Sequence, residues 1–151
     1  MWIQDEIAAG VTRVGADAIE LSPDEAKAAE ALLERVFAKP GTGLLWERLH
    51  ESQGLHDPNA WRRLPDFVRA PSLLLVHHSQ GRCGYRFEIP ADLPLVLADC
   101  PSFEFYVTDG QGEYLLAFNH HDVLVGCGHA AAWVSSLVRR SDPGVRQGKP
   151  G

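Results

Sequence analysis

The stretch Phe103-Glu104-Phe105-Tyr106-Val107-Thr108-Asp109-Gly110-Gln111-Gly112-Glu113-Tyr114-Leu115-Leu116-Ala117-Phe118 decides the fold class. Phe103, Phe105 and Val107 alternate with Glu104, Tyr106 and Thr108, the two-residue period of a strand with one buried face. Asp109-Gly110-Gln111-Gly112 supplies turn chemistry, and Tyr114 to Phe118 brings the chain back. Two such runs around a glycine-rich turn predict an antiparallel hairpin.

The same period extends outward on both sides. Downstream, Val123 to Cys127 reads as a further short strand, bracketed at its end by Gly126 and Gly128. Upstream, Leu73 to His78 is an apolar run and Ser79-Gln80-Gly81-Arg82 a turn. Tyr85, Phe87 and Ile89 then alternate with Arg86 and Glu88 up to Pro90. Asp92 to Asp99 is compatible with a short helix capped by Asp92, because Pro94 fits only a first turn.

Helical periodicity frames this β region. Ser22-Pro23-Asp24-Glu25 is a capping box with proline at the first helical position. Ala29, Leu32, Leu33, Val36 and Phe37 then form one apolar stripe, and Pro40-Gly41 stops the helix. A shorter helix over about Trp2 to Ala9, closed by Gly10, is expected before it. An extended segment ending in Ala18-Ile19-Glu20-Leu21 should follow that helix. Leu44 to Gln53 reads as a weaker helix with Leu45, Trp46 and Leu49 inward, and residues 56–71 as a loop with one helical turn after Asn59. A final helix from His129 to Arg140 carries Ala130, Trp133, Val134, Leu137 and Val138 inward. Arg139 and Arg140 suit the negative end of its dipole. The expected architecture is α+β: N-terminal helices, a mostly antiparallel four- to five-stranded meander, and a closing C-terminal helix. Residues 1–141 form a single domain in this reading, followed by a flexible basic tail over 142–151.

Composition narrows the class of function. The chain has 151 residues, 45% hydrophobic and 23% charged, the profile of an ordinary globular domain. Its longest apolar runs, Tyr114 to Phe118 and Ala130 to Val134, fall far short of the ~20 residues of a membrane span. Met1 to Glu6 carries no secretory signal, and three cysteines without framework spacing fit a reducing cytosol. Fourteen basic against twenty acidic residues leave a net charge of −6. An acidic body without a basic, aromatic-interleaved stripe argues against nucleic acid and favours a basic protein partner. Glu30, Glu34, Glu47 and Glu51, with the His120–Asp122 loop, are the expected contact surface.

Phosphate loops, dinucleotide fingerprints and nucleophile elbows are all absent from the sequence. Chemistry-bearing residues concentrate in Asn119-His120-His121-Asp122 and Gly126-Cys127-Gly128-His129. His120 or His121 with Asp122, Cys127 and His129 could supply imidazole, carboxylate and thiolate to Zn²⁺, with His77-His78 as a further source. Adjacent histidines on an extended segment point to opposite faces, so one of each pair would be available. Alternatively Cys127, at the start of the last helix, could be a thiol nucleophile, with His120 or His121 as base and Asp122 or Asn119 orienting it. The structural alternative is a strand-to-strand turn, in which Asn and Asp side chains fold back onto the backbone. In it Cys127 is a buried thiol, and Trp2, Trp46, Trp61 and Trp133 are core.

From Phe103 through Asn119-His120-His121-Asp122 to Trp133, the chain resembles a family of small uncharacterised bacterial proteins. Those proteins carry an Asn-His-His-Asp segment after a strand, then a glycine-containing turn into a Trp-bearing helix. The likeness spans residues 85–137. More distantly, the strand meander with flanking helices resembles the SUKH-type immunity domains, which neutralise partner toxins. Together with the negative charge, the small size and the missing catalytic signatures, the resemblance points to a cytoplasmic, non-catalytic, protein-binding domain of immunity-like type, expected as a monomer or homodimer. The alternative reading is a metal-dependent or thiol hydrolase built on His120, His121, Asp122, Cys127 and His129.

Overall fold

Seven strands pair into one sheet in the computed structural model, which describes residues 3–78 and 81–141. They are β1 (Ala18–Glu20), β2 (Gln53–His56), β3 (Ser72–His78), β4 (Gly81–Phe87), β5 (Phe105–Thr108), β6 (Tyr114–Phe118) and β7 (Val123–Gly128). Their order is β1-β4-β3-β5-β6-β7-β2, and every pair is antiparallel. The fold is α+β, with more strands than the four or five expected. The antiparallel block β4-β3-β5-β6-β7 is the expected part, except that β5 pairs with β3 rather than with β4, and β1 and β2 extend it at its two edges.

Because successive side chains leave a strand on opposite faces, the sheet buries two separate cores. On one face Leu74, Val76, Tyr85, Phe87, Phe105, Val107, Leu116 and Leu124 meet helices α1 (Ile3–Val14), α3 (Asp92–Ala98) and α4 (His129–Ser141). A 3-10 segment over Ala60–Asp66 completes that layer through Ala60 and Leu64. On the other face Leu75, Tyr106, Leu115, Ala117 and Cys127 meet α2 (Pro23–Phe37) through Leu33 and Phe37. Leu45 and Leu49 close this smaller core.

Helix α2 begins as its sequence requires. The Ser22 hydroxyl accepts the Glu25 N–H at 3.1 Å, and Glu25 Oε1 accepts the Ser22 N–H at 2.8 Å. Helix α1 does not stop at Gly10. Gly10 is buried in its interior, where a methyl group would lie 3.3 Å from Asp99 Oδ2 and 3.4 Å from Cys100 Sγ beyond α3. The stop is Gly15, at φ +69°, with the Gly15 N–H reaching Thr12 O and the Ala16 N–H reaching Val11 O. That pair of bonds is a Schellman termination, which needs a left-handed residue.

The expected helix over residues 44–53 reduces to one 3-10 turn, Leu45–Glu47. Leu45 and Leu49 still point inward, but backbone pairing displaces the helix. Ala38 bridges Leu49, and the Lys39 N–H donates to Arg48 O at 2.7 Å. The chain then reverses through Glu51, at φ +52°, into β2. Ile89 lies beyond the end of β4 and is exposed rather than half-buried. Trp133 is partly buried, stacked on Phe67 at 5.3 Å. Trp2, the Ser79-Gln80 turn residues and the basic tail over 142–151 lie outside the described residues.

Candidate functional site

The two halves of the sequence cluster sit at opposite ends of β7. Cys127 pairs with Leu115, whereas His120 follows the other end of β6, five residues on. At the rise of a strand that places them about 16 Å apart along the sheet. His129 is at the Cys127 end, its N–H donating to Glu113 O at 3.0 Å. His120, His121 and Asp122 therefore share one turn, and Cys127 and His129 do not join them. Among the described residues no three His, Cys, Asp or Glu side chains converge as a metal centre would require. His77 is engaged elsewhere, with its Nδ1 2.9 Å from Glu30 Oε2.

Within the turn, Asn119 organises the backbone. Its buried Oδ1 accepts the N–H of His121 at 2.8 Å and of Val123 at 3.2 Å. Asp122 adopts φ +61°, a conformation that Asn and Asp tolerate better than most residues. The expectation that the adjacent histidines diverge holds for an extended segment, and this segment is a turn. The His120 and His121 rings lie 3.9 Å apart, each meeting the Trp46 ring edge-on at 5.9 Å. Glu104 Oε2 lies 2.5 Å from His120 Nδ1. An ionised carboxylate can only accept, so Nδ1 carries the hydrogen and a neutral His120 would present its lone pair at Nε2. That dyad could orient a base, but Cys127 is remote from it. Cys127 is fully buried, and burial pushes its thiol up to about 11.

Glu104 also lines a cleft of about 760 Å³ between α2, the 39–48 loop and strands β3 to β5. Its carboxylates are all held. Arg48 Nη2 donates to both oxygens of Glu34, at 2.6 Å to Oε2, and Arg48 Nη1 donates to Lys39 O at 2.9 Å. Arg82 Nε lies 2.5 Å from Glu30 Oε1, the same carboxylate that His77 meets. The floor is Tyr106, whose hydroxyl faces the Trp46 backbone N–H and is pushed well up by burial. Nε of Arg48 and Nε1 of Trp46 are buried N–H donors with no acceptor among the described residues.

The acidic surface expected from sequence is consequently half spent. Glu30 and Glu34 are paired inside the cleft, and Glu47 Oε1 accepts the Leu44 N–H at 3.2 Å. Arg48, Arg82, Tyr106 and Glu104 carry no motif. Only the register could have found Glu104: extending the Phe105–Phe118 pair by one residue sets it opposite Asn119, beside His120. No protein family, curated protein or solved structure matches this chain. No helix among the described residues is long and apolar enough to cross a membrane.

Proposed function

We propose that this chain is a small protein-binding domain, of the immunity type that its sequence resembles, and that its working face is the cleft between α2 and the sheet. The observation that carries this reading is the state of the cleft's carboxylates. Glu30, Glu34 and Glu104 are each committed to a cation or to His120, so none is placed as a free general acid or base. The exposed residues along its rim leave the cleft open to a segment of another protein.

A position-specific photo-crosslink tests it. Ala31, exposed on the cleft wall, is replaced by benzoylphenylalanine, and Leu95, exposed on the opposite layer, is the control. In extract of the host cells, position 31 should give one discrete protein adduct that position 95 does not. Identical adducts from both positions, or none from position 31, would remove the cleft from consideration.

A further inference from the structure

The charges in the cleft that have no partner are all positive. Lys27, Arg35, Lys39, Arg48 and Arg82 line it against Glu30, Glu34 and Glu104, so a protein of net charge −6 carries a locally cationic cleft. Arg48 and Arg82 are paired, whereas Lys27, Arg35 and Lys39 are exposed with no side-chain hydrogen bond or ion pair among the described residues. Arg48 Nε, buried in the cleft, is one further donor without an acceptor among the described residues. Everything unspent here is a donor.

We infer that the cleft receives an extended acidic segment of the partner protein, its carboxylates pairing with Lys27, Arg35 and Lys39 along the rim. The inference rests on the reading of this cleft as the binding face. Spacing selects a segment over a compact anion. Lys27 and Arg35 are eight residues apart on α2, about 12 Å along its axis, too far to meet on one phosphate. The same distance is about four residues of extended chain, whose side chains can address each cation in turn. A basic segment would find every carboxylate of the cleft already occupied.

The test is an amide NMR titration of the full ¹⁵N-labelled chain with hexaglutamate, hexalysine and inorganic phosphate. It is run at about 0.15 M salt, where charges beyond about 8 Å are screened and the body's own repulsion is muted. Hexaglutamate should shift amides of residues 27–48. The triple variant Lys27→Glu, Arg35→Glu, Lys39→Glu, changed only at exposed positions, should weaken that binding about tenfold or more. The inference would be overturned by no shifts with hexaglutamate, by shifts that the triple variant leaves unchanged, or by phosphate alone reproducing them. Hexalysine bound in the cleft would also overturn it, while leaving the cleft as a binding face. Loss of the position-31 crosslink would instead strike the underlying reading.

Discussion

Glu104 holds His120 at two points, accepting its backbone N–H at 2.9 Å while the same Oε2 atom lies 2.5 Å from its ring Nδ1. The carboxylate thus ties the segment leading into β5 to the turn between β6 and β7. Glu104→Ala should release both bonds. The pair is substantially exposed, 59% for the His120 side chain and 28% for Glu104, so the stability cost should stay below about 1 kcal/mol. The local effect should be larger than the global one. Hydrogen exchange of the His120 amide should accelerate in Glu104→Ala while amides of β6 keep their protection, and unchanged exchange at His120 would contradict the double contact.

Asn119 is the more expensive residue of the turn. It is buried, and its side-chain oxygen is the acceptor for two backbone N–H groups. Asn119→Ala leaves both without that partner and should cost about 1–3 kcal/mol. Asn119→Asp keeps an acceptor at the same place and should cost less at neutral pH. Denaturant midpoints at unchanged slope decide this. Equal losses in the two variants would mean that packing, not the hydrogen bonds, sets the price.

The hairpin from Phe105 to Phe118, its first strand starting two residues after Phe103, and the capped helix α2 were legible because local pattern and tertiary environment agree there. Strand β2 was not, since Gln53-Gly54-Leu55-His56 offers a single apolar side chain and becomes a strand only through its register with β7. The same rule governs the site. His120 and Cys127 are close in sequence, but β7 is extended, so each residue between them adds distance. A helix of that length would have drawn them together. Glu104, sixteen residues away in sequence, is brought against His120 by the hairpin register instead. Charge was misleading for a related reason: Glu30 and Glu34 read as a solvated acidic face until β4 and the 39–48 loop deliver Arg82 and Arg48 to them.

Cys127 should behave as a core residue toward thiol reagents. It is fully buried with its thiol pushed up to about 11, and Cys83 is likewise buried and pushed up to about 11. The thiolate is the reacting species, so both access and ionisation oppose modification. Iodoacetamide near neutral pH should modify the partly exposed Cys100 first and reach Cys83 and Cys127 only as the protein unfolds. Rapid modification of Cys127 in the folded protein would revive the nucleophile reading.

The capping box of α2 gives stability a dependence on pH with a definite sign. The Ser22 backbone N–H, and then its hydroxyl, hold the Glu25 carboxyl below its usual range. A carboxyl that ionises more readily in the folded state contributes stability above the unfolded pKa of about 4.3, and loses it as pH falls through the lower native value. In a carboxyl ¹³C titration, Glu25 should therefore have a midpoint below that of exposed glutamates. Ser22→Ala should raise that midpoint part of the way, because the backbone donor remains. Glu25→Gln should flatten the acid limb of stability. An unshifted Glu25 midpoint in the unmodified protein would contradict the box.

Gly126 sets how closely α4 can approach the sheet. A methyl group there would lie 2.8 Å from Ala130 O and 2.7 Å from Val134 Cγ2, so the helix backbone itself blocks it. Gly126→Ala should cost about 1–3 kcal/mol, the range for overpacking a filled core. Gly54→Ala on the neighbouring edge strand meets Val123 Cγ1 at 3.4 Å and Leu124 O at 3.9 Å, both ordinary contacts, and should stay within about 0.5 kcal/mol. Adding Val134→Ala to Gly126→Ala separates the two contacts. It removes the side-chain clash but leaves the carbonyl, and it opens a gap of its own in the core. The double variant should thus remain less stable than the original protein by calorimetry. Full recovery would show that α4 can shift away from β7, and that the glycine is not what fixes its position.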